Sequence, residues 1–172
     1  MTRGILLLTL LFSRYIYDKK HNIFTHSGAF SDMNTIENQR SRPFTYSCTV
    51  RDTHIDAFGH VNNAAYLQLF EEARWDIIAS NGYGMKEIQE HQQGPVILEV
   101  TLKYRKEILP NQTIRIDSHC IMKSERIYIV QQQMFNDNND LCSEAVFTGA
   151  LFDLKKRKII PPTEIWLKAI GF

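Results

Sequence analysis

The sequence is short of the features that mark several protein classes. Its three cysteines, Cys48, Cys120 and Cys142, form no C-x-x-C pair. An odd number without such pairs argues against a disulfide framework and favours a reducing, cytoplasmic compartment. The 20 basic and 19 acidic residues nearly cancel, which leaves a net charge of +1. That balance argues against a nucleic-acid-binding domain, so we expect no nucleic-acid partner.

Long apolar runs are also missing. The run at residues 5–12 follows Arg3 and resembles the start of a signal peptide, but it is too short to span a bilayer. The segment after it, SRYIYDKK, offers no small-residue cleavage site. We therefore expect no stable membrane insertion. Residues 1–42 are interpreted as an N-terminal extension that is disordered or arises from an over-extended start, and residues 43–172 as one domain.

Met33 lies just before the patterned part of the sequence. Because residues 1–42 lack the apolar spacing needed to join a core, we expect a chain beginning at Met33 to melt within a few degrees of the full chain. Thermal melting of the two chains tests this expectation. Aggregation of the shorter chain would show instead that the apolar run at residues 5–12 is structural.

Alternation of apolar and polar residues predicts strands near residues 44–50 and 96–105, and three further strand-like runs between turns lie near 113–122, 126–135 and 141–154. Between the first two, residues 64–80 carry apolar side chains at spacings of three and four, which predicts a helix largely surrounded by protein. One strand, one helix and four consecutive strands on short turns favour an antiparallel sheet packed on the helix, an α+β architecture.

Residues 51–66 concentrate the chemistry of the chain and read RDTHIDAFGHVNNAAY. A carboxylate beside the positive, N–H-rich end of a helix can activate water or attack a carbonyl, while free N–H groups stabilise the oxyanion. On spacing alone, Asp56 fits two roles equally well: a catalytic carboxylate, or a residue that caps the helix or a turn. Asn62 or Asn63 is the candidate N-cap of the helix.

Asp56 and the GHVNN-x-x-Y segment that follows it, with FE-x-AR at residues 70–74, resemble the hotdog-fold acyl-CoA thioesterases. The 4-hydroxybenzoyl-CoA thioesterase-like family is the most similar branch, over about residues 44–167. The resemblance implies a hotdog fold: an antiparallel five-stranded sheet wrapped around one long central helix. It also implies homodimers or homotetramers with active sites at the interface.

For function, the resemblance implies hydrolysis of an acyl-CoA thioester to the free acid and coenzyme A without a cofactor or metal. It makes Asp56 the catalytic carboxylate, acting as general base or nucleophile. The family often has Asp-x-Asp at this place, whereas this chain has His54 two residues before Asp56. It therefore keeps the catalytic aspartate and differs from the family only at the supporting position. The residues expected to bind substrate or support the site are Gly59, His60, Val61, Asn62, Asn63 and Tyr66.

Several alternatives stay open at the level of sequence. A non-catalytic acyl-CoA-binding module would use the same cleft without turnover. A metal site, as in an oxygenase, would use His54, Asp56 and His60. Glu71 or Glu72 would serve as another general base. The candidate contacts for coenzyme A phosphates, otherwise solvated surface charge, are Lys103, Arg105, Lys106 and the basic run at residues 155–158.

Overall fold

Five long strands form one antiparallel sheet in the computed structural model, which describes residues 39–172. They are β1 (Phe44–Thr49), β2 (Gln93–Tyr104), β3 (Thr113–Met122), β4 (Ile127–Phe135) and β5 (Leu141–Asp153). Their order across the sheet is β1-β3-β4-β5-β2, so β1 and β2 lie at its two ends. A short sixth strand, β6 (Lys158–Ile160), pairs with β5. The predicted antiparallel sheet of five strands is confirmed, with one hairpin strand added.

One long helix, α1 (Asn63–Ser80), follows β1 in sequence and packs against the sheet. Its buried residues recur at spacings of three and four, which is the pattern of a helix with one face in a core; they include Tyr66, Leu69, Phe70, Ala73 and Ile77. The predicted helix is therefore confirmed. Leu67 and Trp75 remain 37% and 36% exposed, so α1 is less enclosed in the single chain than the sequence suggests.

Two further helices and a bulge depart from the sequence pattern. The polar stretch before β2, where no element is predicted, contains α2 (Met85–His91). This helix is held by its cap, because Glu87 accepts the Gly84 N–H at 2.8 Å. A bulge between Ile97 and Glu99 interrupts the strict alternation predicted for β2. The amphipathic tail forms α3 (Glu164–Ala169).

The end of the predicted N-terminal extension pairs with β3. Arg40 bridges Ile121, the Ser41 N–H donates to the Cys120 carbonyl at 2.8 Å, and the Met122 N–H donates to the Gln39 carbonyl at 3.0 Å. Residues 39–42 thus belong to the folded unit, while the rest of the predicted extension lies outside the described residues. Within residues 39–172, no helix is long and apolar enough to cross a membrane.

The core is open between α1 and the end strand β2. Ile97 shares a pocket lining with Trp75, Val100 pairs with the buried Phe147, and Tyr104 packs edge-on against the α1 residue Tyr66. We call the boundary between α1 and β2 the helix–edge groove; the exposed apolar residues of these two elements are Leu67, Trp75, Ile97, Val100 and Tyr104.

Candidate active site

The turn that carries Asp56 is closed by hydrogen bonds between its own residues. The Asp56 N–H donates to the His60 carbonyl and the Gly59 N–H donates to the Asp56 carbonyl, each at 3.0 Å. Ile55 and Val61 pair as a β-bridge on either side. Gly59 has a φ of +84°, a left-handed conformation that glycine adopts without a Cβ penalty. The turn therefore holds Asp56 and His60 side by side at its base.

The two oxygens of the Asp56 carboxylate have different surroundings. Oδ1 accepts the Phe58 N–H at 2.9 Å, so it fixes the side chain to the turn. Oδ2 lies 3.6 Å from His60 Nδ1, longer than an ordinary hydrogen bond. The Asp56 side chain is 18% exposed, and Oδ2 accepts no hydrogen bond from residues 39–172. This arrangement leaves one oxygen of a positioned carboxylate open to a water or a substrate carbonyl.

The cap of α1 is Asn62 rather than Asp56. Asn62 Oδ1 accepts the Ala64 N–H at 2.9 Å, and its carbonyl accepts the Ala65 N–H at 2.9 Å. The N–H of Asn63, the first residue of the helix, donates to no residue within the described range. Unpaired N–H groups at a helix N-terminus carry partial positive charge. The site thus has a candidate oxyanion donor on the same segment as its carboxylate.

An open cleft of about 500 Å³ lies in front of these groups. It brings together five of the seven residues predicted for the site, namely Asp56, His60, Val61, Asn63 and Tyr66. The other two, Gly59 and Asn62, shape the turn and cap the helix. A larger depression of about 640 Å³ lies over β3, β4 and β5 and includes no residue of the 51–66 segment.

Tyr66 forms part of the wall of the cleft. It is buried, its hydroxyl donates to the Lys106 carbonyl at 3.3 Å, and its ring packs edge-on against Tyr104. Burial raises the pKa of Tyr66 to about 12, so the phenol stays neutral at physiological pH. These contacts indicate that Tyr66 has a structural role in the wall of the cleft.

The opposite wall comes from the end of β2, which sequence reasoning assigned to the site only in part. The Val61 N–H donates to the Ile108 carbonyl at 2.9 Å and so ties the turn to this segment. Arg105 Nη2 lies 2.5 Å from Glu144, and Lys106 lies 2.6 Å from Asp140. These partners hold the pKa values of both carboxyl groups below their usual range. Also on this wall are Tyr104 and Glu107.

The alternative catalytic groups lie elsewhere. His54 Nδ1 accepts the Arg51 N–H at 3.2 Å, and no group of three potential metal ligands occurs among residues 39–172. Glu71 accepts the Trp75 indole N–H at 3.3 Å, and Glu72 accepts the Tyr46 hydroxyl at 3.3 Å. Neither glutamate lines the cleft.

An antiparallel sheet packed against one long helix, with an acidic turn at the N-terminus of that helix, is the architecture of the hotdog class. The chain belongs to the thioesterase-like superfamily, whose family model matches residues 48–170. The family predicted from the 51–66 segment is thereby confirmed.

Individual relatives agree with this family. The long-chain acyl-CoA thioesterase FadM of Escherichia coli is 29% identical over 112 residues, covering 64% of this chain and 84% of FadM. The crystal structure of YbaW, a probable thioesterase from Escherichia coli, superposes with a TM-score of 0.65 at 25% identity, covering 74% of this chain and 98% of that one. SAV2348 from Staphylococcus aureus, solved in complex with CoA, shares the fold with a TM-score of 0.70 at 18% identity, over 76% and 82% of the two chains.

Proposed function

We propose that this chain hydrolyses an acyl-CoA thioester to the free acid and coenzyme A, with Asp56 as general base or nucleophile. The observation that carries the proposal is the Oδ2 of Asp56, which accepts no hydrogen bond, in an open cleft that is also lined by Asn63 with its unpaired N–H. The similarity to FadM, a long-chain acyl-CoA thioesterase, supports a coenzyme A ester as the substrate.

The reaction uses the two groups for different tasks. Asp56 takes a proton from water as the water oxygen bonds to the thioester carbon, or attacks that carbon itself and forms an anhydride that water then cleaves. The carbonyl oxygen becomes an oxyanion, which the Asn63 N–H and the positive end of α1 stabilise. The carbon–sulfur bond breaks and the coenzyme A thiolate leaves; it takes up the proton held by Asp56 in the first route and a proton from solvent in the second.

The basic residues at the cleft suit the other half of the substrate. Arg105 and Lys106 line the cleft and are paired with Glu144 and Asp140 on its exposed side. Phosphate oxygens compete well for such exposed cations, because their charge-assisted hydrogen bonds are strong. We assign these two residues to the coenzyme A phosphates.

A panel of acyl-CoA esters of different length and type, assayed for release of the free thiol, tests the function directly. The proposal expects turnover of at least one ester in the absence of added metal. Tight binding of esters by calorimetry with no thiol release in any of them would favour the non-catalytic acyl-CoA-binding module.

Assembly gives a separate prediction. The end strand β2 and the helix–edge groove leave apolar side chains exposed, and such surfaces are poorly tolerated by a monomer. We therefore expect light scattering at micromolar concentration to show a dimer or tetramer of the 20.1 kDa chain. A fully active monomer would contradict a site completed at a subunit interface.

A further inference from the structure

Two tyrosines of the cleft connect its walls in opposite directions. Tyr104, at the end of β2, donates its hydroxyl hydrogen to the Asn63 carbonyl at the start of α1, at 3.0 Å. Tyr66, on α1, donates to the Lys106 carbonyl just after β2, at 3.3 Å. The two rings pack edge-on, with centroids 5.2 Å apart. The proposed chemistry gives no task to Tyr104, although this residue lines the cleft together with Asp56.

Tyr104 reaches α1 because of its position on β2. Side chains of a strand point alternately to the two faces of the sheet, so Val100, Leu102 and Tyr104 share one face. The contact of the Tyr104 ring with Tyr66 shows that this is the face toward α1. The backbone of Tyr104 lies in the sheet, where it pairs with Ser143 on β5. The hydroxyl is therefore presented to α1 by a hydrogen-bonded strand rather than by a loop.

The direction of the Asn63 N–H depends on the groups that hold the backbone on either side of it. On the N-terminal side, the Asn62 N–H donates to the His54 carbonyl at 2.8 Å. On the C-terminal side, the peptide group between Asn63 and Ala64 is held at both ends. Asn62 Oδ1 accepts the Ala64 N–H at 2.9 Å, and the Tyr104 hydroxyl donates to the Asn63 carbonyl. Because a planar peptide leaves two soft dihedrals per residue, fixing both neighbours fixes where the N–H points.

Tyr104 makes the connection between this peptide group and the sheet. Within residues 39–172, it provides the only side-chain hydrogen bond to the peptide from outside the 51–66 segment. The first turn of a helix lacks the internal N–H bonds of later turns, and helix ends fray. An oxyanion donor is effective when it is aimed before the charge develops, and a misplacement of about 1 Å costs roughly a hundredfold in rate. A tether at this position therefore has a kinetic consequence.

We propose that Tyr104 is a positioning residue for thioester hydrolysis. Its hydroxyl ties the first residue of α1 to β2 and so aims the Asn63 N–H at the carbonyl oxygen that becomes the oxyanion. Tyr104 acts through Asn63 and does not touch the reacting atoms. The inference rests on the proposed function, because that function gives the Asn63 N–H its task.

Tyr104→Phe removes the hydroxyl and keeps the ring that packs against Tyr66. With the panel ester that turns over fastest, we expect kcat to fall by roughly tenfold. That is less than the roughly hundred- to thousandfold loss that follows removal of an oxyanion donor, because the Asn63 N–H is still present but less well aimed. KM should change by less than about twofold, since the interaction matters in the transition state. The melting temperature should stay within a few degrees of native, as for most surface substitutions.

Tyr83→Phe is the matched control. The Tyr83 hydroxyl also donates to a backbone carbonyl, that of Gln93 at 3.2 Å, and Tyr83 does not line the cleft. Its loss removes a bond of the same kind at the other end of β2. This variant should keep the native kcat and KM.

Infrared spectroscopy of the bound ester separates the aim of the N–H from a general disturbance of the cleft. A hydrogen bond to a carbonyl lowers its stretching frequency, and isotopic labelling of the thioester carbonyl carbon identifies that band. The ester is bound to Asp56→Asn, which turns it over slowly. Adding Tyr104→Phe to this variant should raise the carbonyl frequency, whereas adding Tyr83→Phe should leave it unchanged.

Failure of the inference is distinguishable from failure of the proposed function. Native kcat in Tyr104→Phe, or a lower kcat with an unchanged carbonyl frequency, overturns the inference and leaves the thioesterase proposal intact. Absence of thiol release from every ester in the panel overturns the function. Labelled hexadecanoyl-CoA bound to Asp56→Asn is then the probe, and equal carbonyl frequencies with and without Tyr104→Phe overturn the inference as well.

Discussion

Replacement of Asp56 by Asn should lower kcat for thioester hydrolysis by roughly a hundredfold or more, the usual contribution of a positioned acid–base group. The amide keeps the shape of the side chain and can still accept the Phe58 N–H that fixes Oδ1 at 2.9 Å. It loses the charge and the basicity that the free Oδ2 supplies. Because the lining of the cleft is otherwise unchanged, KM should change by less than about threefold. Steady-state thiol release measures both constants.

Asp52→Asn is the matched control. Asp52 is an exposed carboxylate in the same loop, four residues earlier, and it does not line the cleft. It should keep native kcat and KM, and both variants should melt within a few degrees of the native protein. Near-native turnover in Asp56→Asn would show that Asp56 is not the catalytic base or nucleophile. Glu71 and Glu72 would then be the next candidates, although neither lines the cleft.

The main elements of the fold could be predicted because their signals are local. Strand β1 alternates apolar and polar residues, β3, β4 and β5 are short runs rich in strand-forming residues between turns, and the stripe on α1 repeats at helical spacing. The N-cap at Asn62 likewise follows from residue type and position. Helix α2 carries only two large apolar residues, Met85 and Ile88, which is too few to produce a period.

Only the part of the site that is formed by one continuous segment could be predicted from the sequence. The 51–66 segment supplies one wall of the cleft, whereas Tyr104 and Glu107 reach it because Val61 is tied to Ile108 by a backbone hydrogen bond. No short motif encodes that pairing. Trp166 illustrates the same limit, since its position in the C-terminal helix gives no sign that its indole N–H is buried beside α1 and β2.

Gly149 gives a second case of a residue whose role appears only in three dimensions. In sequence it is one glycine within the apolar strand β5. In the structure it pairs with Tyr128 on β4, and a Cβ built at Gly149 would lie 2.6 Å from Tyr128 Cε2 and 2.7 Å from Cζ. The Tyr128 ring is itself buried, with its centroid 6.0 Å from that of Trp166. The ring therefore occupies the space that any other side chain at position 149 would need.

We expect Gly149→Ala to lower the free energy of unfolding by about 1–3 kcal/mol, the usual cost of overpacking a core. For a chain of this size that corresponds to a fall in melting temperature of roughly 2–12 °C. Gly84→Ala is the control, because its φ is −94° and its added Cβ would make only an ordinary 3.6 Å contact with Glu87. It should melt close to the native protein.

The cause of the loss at Gly149 can be isolated by a double-mutant cycle. Tyr128→Leu alone should destabilise the protein by leaving a cavity, but in that background the Cβ at position 149 no longer meets a ring. The cost of Gly149→Ala should then shrink to a small fraction of its value in the native background, since the two residues are in direct contact. An undiminished cost in the Tyr128→Leu background would show that the strain comes from the β5 backbone rather than from the ring. Chemical denaturation of the four proteins gives each free energy of unfolding.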